Sequence, residues 1–423
     1  MLNIILAVFV LGYGAIAFEH PLKINKSGSA LLMGILIWTL YRIGWTSDDV
    51  AGELEHHLTG IAEILFFLMG AMTIVEVIDA HDGFNLITNR INTKSKIKLL
   101  WIMAILAFFL SAILDNLTTT IVMVSLARKL IPDEKQRLFF AGMTVISANA
   151  GGAWSPIGDV TTTMLWIGGQ VSTLNIMKVL FFPSLVCMFI PLFYVSLFEK
   201  KTLKGDLPDR TKQKLAPENK LIFSLGLGGL ILVPVFKQLT HLPPYVGMML
   251  ALGIIWIAAD LIHRKKGTEE QKKYSASNAL MKIDMPSLLF FLGILLAVSG
   301  LESLHVLKNV ATWMDTAIGN KDLIVICIGV LSAVVDNVPL VAATMGMYDL
   351  SAFPTDHKIW EFIAYCAGTG GSILIIGSAA GVAAMGMEKI DFLWYFKKMG
   401  LIAFLGYIAG AGIYLLQYAL FHS

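Results

Sequence analysis

Charged residues are scarce: Asp, Glu, Lys and Arg make up only 15% of the 423 residues. Soluble domains carry about a quarter, and so few charges cannot coat a globule of this size. The balance is nearly even, with a formal net charge of +2, so no basic surplus points to a nucleic-acid partner. Cysteine is also sparse. Cys187, Cys327 and Cys366 stand far apart in apolar runs, which excludes a disulfide framework and leaves no C-x-x-C pair for zinc or redox chemistry. They read as small buried hydrophobes. No basic region precedes the apolar stretch Leu2–Phe18, so it reads as a first membrane helix rather than a cleavable signal. What is abundant is apolar: 56% of residues are hydrophobic and the mean hydropathy is +0.72. The chain reads as an all-α polytopic membrane protein.

A bilayer core takes roughly 20 mostly apolar residues per helix. Several apolar segments are shorter, and two, Leu138–Gly168 and Trp360–Met387, are longer and glycine-rich. Basic residues sort the loops by side, with 26 of the 32 Lys and Arg on one face, which marks that face as cytoplasmic. The sorting holds only if Ile97–Leu130, basic at both ends, enters and leaves on the cytoplasmic side. It is therefore expected to be a re-entrant hairpin with its tip at Asp115–Thr119. Leu323–Tyr348 is the corresponding hairpin from outside, tipped by Asp336–Pro339. Both termini, and the acidic loop Thr46–His57, then fall on the outer face.

The halves resemble each other. Phe66-Phe67-Leu68 returns as Phe290-Phe291-Leu292, an offset of 224, and Leu110–Asn116 returns as Leu331–Asn337, an offset of 221. Gly151-Gly152 with Gly158 returns as Gly370-Gly371 with Gly377, an offset of 219. With hairpins opening to opposite faces, the repeat is inverted. Residues 1–199 form the first repeat (hairpin 97–130, broken helix 138–168), 200–220 a cytoplasmic linker, and 221–423 the second repeat (hairpin 323–348, broken helix 360–387). Inverted repeats with interrupted helices are the mark of secondary transporters, whose site lies between the repeats at mid-membrane.

The interruptions carry the chemistry. At the first tip Asp115 is followed by Asn116 and by Thr118 to Thr120, all oxygen donors. A carboxylate at mid-membrane costs roughly 2.5–3.5 kcal/mol on insertion scales, and oxygen donors suit hard cations. The same residues also make good helix caps. In the second interruption, from Asn149 to Thr163, glycines and Pro156 break the helix, which membranes tolerate only around a cavity. Asp159, Thr161 and Thr162 are expected to line it. The second half repeats the tip as Asp336-Asn337 and the break as Gly368–Ser378, with Ser378 where the first half has Asp159. No Lys or Arg occupies any interruption, which argues against an anionic substrate needing a countercharge. Protons and a metal ion can compete for such carboxylates, so loading Na+ displaces H+ and protonation expels Na+. Two weaker features remain open. His56-His57 fit a pH-sensing pair or a solvated loop, and Glu63 a functional or a snorkelling charge.

On the run from Leu114 to Thr120, the run from Asn149 to Thr163 and the second Asp336-Asn337, the sequence resembles the NhaD-type sodium/proton antiporters of the ion transporter superfamily. The resemblance spans essentially the whole chain. It implies export of Na+ and Li+ in exchange for H+ by alternating access across a bacterial inner membrane, with no enzymatic activity and no cofactor beyond the transported ions. It implies a homodimer whose mobile transport domain carries both hairpins against a scaffold. It makes Asp115, Asn116, Thr118, Asn149, Asp159, Thr161, Thr162, Asp336, Asn337 and Ser378 the ion-handling residues, with Na+ held around Asp115, Asn116, Asp159 and Asp336. The alternative within the superfamily is a Na+-coupled carrier of a small anion or metalloid. An aspartyl intramembrane protease is set aside, because Pro156-Ile157-Gly158-Asp159 lacks the Gly-x-Gly-Asp pattern and no Tyr-Asp partner precedes it. A passive channel is distinguished by coupling of H+ flux to Na+.

Overall fold

The computed structural model describes residues 1–17, 19–45, 49–91, 93–199, 203, 216–264 and 266–421. Among them every regular element is helical, and eight helices are long and apolar enough to cross a membrane. The expected linker 200–220 lies mostly outside the described residues.

The helices pack in two groups. The outer group comprises Leu2–Ala17, Lys26–Gly44, Val50–Ala80, Pro217–Thr240, Pro244–His263 and Met285–Ser303. Its centre is the pair Lys26–Gly44 and Met285–Ser303, fastened by Trp38 Nε1 donating to the Leu296 carbonyl at 2.9 Å and Ser27 Oγ to the Pro286 carbonyl at 2.6 Å. At one edge, just beyond Val50–Ala80, His81 Nε2 meets His263 Nε2 at 2.9 Å.

The core group holds the interrupted elements. Helices Lys96–Leu114 and Asn116–Leu130 meet at Asp115, so the expected first tip contracts to a single residue. Asp115 has φ 82°, a region costly for a side chain other than glycine's. In the second half Lys321–Leu331 and Asn337–Met347 are joined through turns ending at Asp336. The first long apolar segment is Glu134–Ala153 followed by Val160–Ile167, and the second is Lys358–Gly370 followed by Ala379–Glu388. Asn149, expected at the start of its break, is therefore still helical, and the chain leaves the helix only after Ala153. Helices Thr173–Phe198 and Leu401–Phe421 pack together and close the group.

Equivalent contacts recur in both halves. Ser111 Oγ donates to the Ala148 carbonyl at 2.6 Å, and Ser332 Oγ to the Ala367 carbonyl at 2.9 Å. A Cβ at Gly151 would collide with the Phe108 carbonyl, and one at Gly370 with the Gly329 carbonyl. Only glycine allows helix backbones so close. The halves are also exchanged across the middle: Val160–Ile167 packs on Asn337–Met347, and Ala379–Glu388 on Asn116–Leu130. That exchange brings all four interruptions together.

Candidate ion site

Each interruption ends with a new helix, and each new helix begins with a polar cap. Asp115 Oδ1 accepts the Thr118 N–H at 2.8 Å, and Asp159 Oδ1 the Thr161 N–H at 3.1 Å. Asp336 Oδ1 accepts the Val338 N–H at 3.2 Å, and Ser378 Oγ the Gly381 N–H at 3.1 Å. At Asp115, Asp159 and Asp336 the cap uses Oδ1 and leaves Oδ2 for another contact. The positive ends of these helices also offset part of the cost of carboxylates held away from water.

Asp159 is the centre. It is only 2% exposed, and its Oδ2 accepts from Asn116 Nδ2 at 2.8 Å and from Asn337 Nδ2 at 3.3 Å. Asn116 Nδ2 also donates to Asn149 Oδ1 at 3.0 Å. Asn149 in turn donates to Ser378 Oγ and to Ser372 Oγ, each at 2.9 Å. One continuous network therefore joins both tips and both breaks. Among the described residues no ion pair reaches Asp159 or Asp115, so the donors around Asp159 are neutral.

Asp115 lies at the edge of this network, and Thr118 Oγ1 donates to its Oδ2 at 2.9 Å. Asp115 and Asp159 share a small cavity of ≈ 20 Å³. That is space for about one water molecule or a bare ion. Its opposite wall is apolar, formed by Phe67, Leu68, Ala71, Met72, Leu230 and Met248 of the outer group. A larger cavity of ≈ 220 Å³ runs from Lys129 and Lys282 to Leu117 and Thr118.

Not every expected residue joins the network by its side chain. Thr161 contributes its N–H, while Thr162 Oγ1 donates to the Asp159 carbonyl at 2.9 Å and so secures the turn. The Asp336 carboxylate instead meets a cation, with its Oδ2 3.4 Å from Lys26 Nζ. His56 and His57 are not in a loop. The Val50–Ala80 helix has already begun, its N-terminus capped by Asp49 at the Gly52 N–H, and His57 Nε2 meets Ser303 Oγ at 3.2 Å. Glu63 lines an open cavity with Glu55 and Tyr245, apart from Asp159. Two participants escaped the sequence reading. Ser372 stood within the second glycine run, where its hydroxyl was a usable signal, whereas nothing in the spacing connected Lys26 to Asp336.

The chain matches the citrate-transporter family (CitMHS) over residues 13–354. It is 54% identical over 411 residues to sodium/proton antiporter 1 of Arabidopsis thaliana, covering 96% of this chain and 71% of that protein. It is 33% identical over 455 residues to the Na+/H+ antiporter NhaD of Alkalimonas amylolytica, covering 99% of this chain and 91% of that protein. The chain belongs to the NhaD-type sodium/proton antiporter family. NhaD-type proteins are transporters, not enzymes. Sodium/proton antiporter 2 of Arabidopsis thaliana is 50% identical over 412 residues, covering 96% of this chain and 98% of that protein. The NhaD-type likeness therefore spans both halves and reaches plant as well as bacterial proteins.

Proposed function

We propose that the protein exports Na+, and Li+ with it, in exchange for H+, with Asp159 and Asp115 as the shared carriers of both ions. The observation that carries this reading is Asp159 itself: a carboxylate 2% exposed, ringed by neutral donors and without a cation partner among the described residues. A lone buried charge of this kind is costly, and a proton or a small metal cation relieves the cost equally. Two ions that relieve the same charge exclude each other. Asn116, Asn149, Asn337 and Ser378 orient the carboxylate and supply neutral oxygens, while Thr118, Thr161 and Thr162 fix the helix starts. Asp336 is the third carboxylate of the set, and its partner Lys26 gives it a different part.

The apolar wall supplies coupling. In this proposal the core group moves against the outer group in an elevator-like step, carrying two re-entrant hairpins related by an inverted repeat. A bare Asp159 facing Phe67, Leu68 and Met248 resists that movement, because burying an unpaired charge against hydrocarbon is unfavourable. Asp159 neutralised by H+ or Na+ does not. The empty charged site therefore stays on one side, and flux in one direction requires flux in the other. The ≈ 220 Å³ cavity reaching Thr118 supports an arrangement open to the cytoplasm. In the same reading the protein is a homodimer in a bacterial inner membrane, with both termini outside.

The family description raises an anionic substrate as the second reading. A citrate-like anion needs cations directed into the site. Lys26, the basic residue found at a hairpin tip, faces Asp336 instead, which favours the cation reading. Everted vesicles carrying a pH-sensitive dye test both. Recovery of the dye signal on adding Na+ or Li+, and its absence with K+ or citrate, is the expected result. Recovery with citrate and not with Na+ would sink the proposal.

A further inference from the structure

Lys26 begins the Lys26–Gly44 helix, and its Nζ lies 3.4 Å from Asp336 Oδ2. The ammonium also sits 4.4 Å from the centre of the Phe290 ring in Met285–Ser303. Both side chains are shielded, at 23% and 15% exposure. The Lys26 N–H donates to Glu19 Oε1 at 3.1 Å, and Ser27 beside it is bonded to the Pro286 carbonyl. Lys26 is therefore fixed to the outer group, whereas Asp336 belongs to the core group. The next residue after Asp336 is Asn337, whose amide donates to Asp159 Oδ2. One peptide unit separates the ion pair from the central carboxylate. The first tip has no such partner among the described residues: both oxygens of Asp115 are taken by Thr118.

We infer that Lys26 tunes ion exchange by neutralising Asp336: the pair withdraws that carboxylate from the ligands open to Na+ and cancels its pull on an ion at Asp159. The inference rests on the exchange reading. Its consequence is a site with two carriers, Asp115 and Asp159, rather than three. The pair also ties the core group to the outer one, so it must part whenever the groups move past each other. At 3.4 Å and partly exposed it is a pair of the weaker kind, which suits a contact broken in every cycle.

The test measures the apparent KM for Na+ in everted vesicles at alkaline pH, where protons compete least. Lys26→Gln leaves Asp336 unpaired and should lower KM, on the order of tenfold for an added unit charge near the site at the effective dielectric of a protein. Asp336→Asn leaves the ammonium unpaired and should raise KM by a similar factor. The double variant carries neither charge and should return close to the wild-type KM, and Lys26→Arg should stay close to it throughout. A double variant as poor as Asp336→Asn alone makes Asp336 a direct ligand and overturns the inference, as does an unchanged KM in Lys26→Gln. If a single variant fails to accumulate, the double variant still decides, since removing both members of an ion pair is usually tolerated; its own loss also counts against the inference. Should wild-type vesicles show no Na+-driven proton movement, the exchange reading fails by itself. The wild type, the two single variants and the double variant then report Lys26–Asp336 coupling through their thermal stability, and additive effects there overturn the pairing separately.

Discussion

Asn116 Nδ2 lies 2.8 Å from Asp159 Oδ2, a contact between residues 43 positions apart. It ties the first hairpin tip to the first broken helix and gives the most buried carboxylate of the network its shortest hydrogen bond from a side chain. Through the same nitrogen it extends to Asn149 and on to the second half. A change at either residue should therefore be read in transport before it is read in folding.

Asp159→Asn keeps the size of the side chain and one acceptor oxygen but removes the exchangeable charge. Na+-dependent proton movement should vanish while the purified protein keeps its helix content and its elution volume. Asp159→Glu should retain weak exchange with a displaced pH profile. Near-normal exchange by Asp159→Asn would refute its role as carrier.

Ser378→Ala removes a neutral hydroxyl that accepts from Asn149 Nδ2 and from the Gly381 N–H. Loss of one such contact costs about 1 kcal/mol, or roughly a fivefold rise in the Na+ KM, without abolishing turnover. Ser372→Ala, which removes the other acceptor of the Asn149 amide, should act in the same direction. The pair together should be worse than either alone, because Asn149 then has no acceptor left on that side.

Gly370→Ala should destabilise the protein in detergent, by about 1–3 kcal/mol for an overpacked contact that backbone must yield to relieve. Its Cβ would strike the Gly329 carbonyl, whereas a Cβ at Gly412 would meet nothing within 4 Å. Thermal unfolding of the two alanine variants side by side makes the comparison. Equal stability would remove the close approach of the two helices.

His81 gives a pH dependence at the edge of the outer group. Burial pushes its pKa below the ordinary value of 6.5, against the opposing pull of the Val77 carbonyl and Glu218 and with a smaller push from Lys266. Its Nδ1 faces the Val77 carbonyl at 2.7 Å and so donates, which leaves Nε2 to accept from His263. A proton added there would set two N–H groups head to head. The folded state thus holds His81 neutral, and this contribution to stability is whole above the ordinary imidazole pKa and is lost as pH falls below it. Unfolding midpoints measured from neutral pH downward should fall more steeply in the wild type than in His81→Gln. Parallel curves would dismiss the effect.

The re-entrant path proposed for the first hairpin is open to labelling. Single cysteines in place of Lys94 and Lys135 should both react only from the cytoplasmic face. Reaction from opposite faces would turn the hairpin into a membrane crossing and remove the inverted repeat.

Composition and loop charge alone were enough to determine a polytopic helical membrane protein, because lipid leaves the backbone few ways to satisfy its polar groups. The recurring Asp-Asn and Gly-Gly motifs pointed to four interruptions, since intramembrane carboxylates and paired glycines are too costly or too specific to repeat without purpose. The sequence could not say which atoms meet. Asp115, Asp159 and Asp336 look alike as letters, yet Asp159 accepts from two asparagines, Asp115 lines the same small cavity but is bonded to Thr118, and Asp336 turns to Lys26. Breaks also began later than expected: Asn149 stayed helical because Gly151 after it serves close packing on Phe108 and Gly152 on Gly158 before either serves flexibility. The pairing of Lys26 with Asp336, 310 residues apart, was decided only when the core group docked on the outer one, for such a contact has no local period or spacing to betray it.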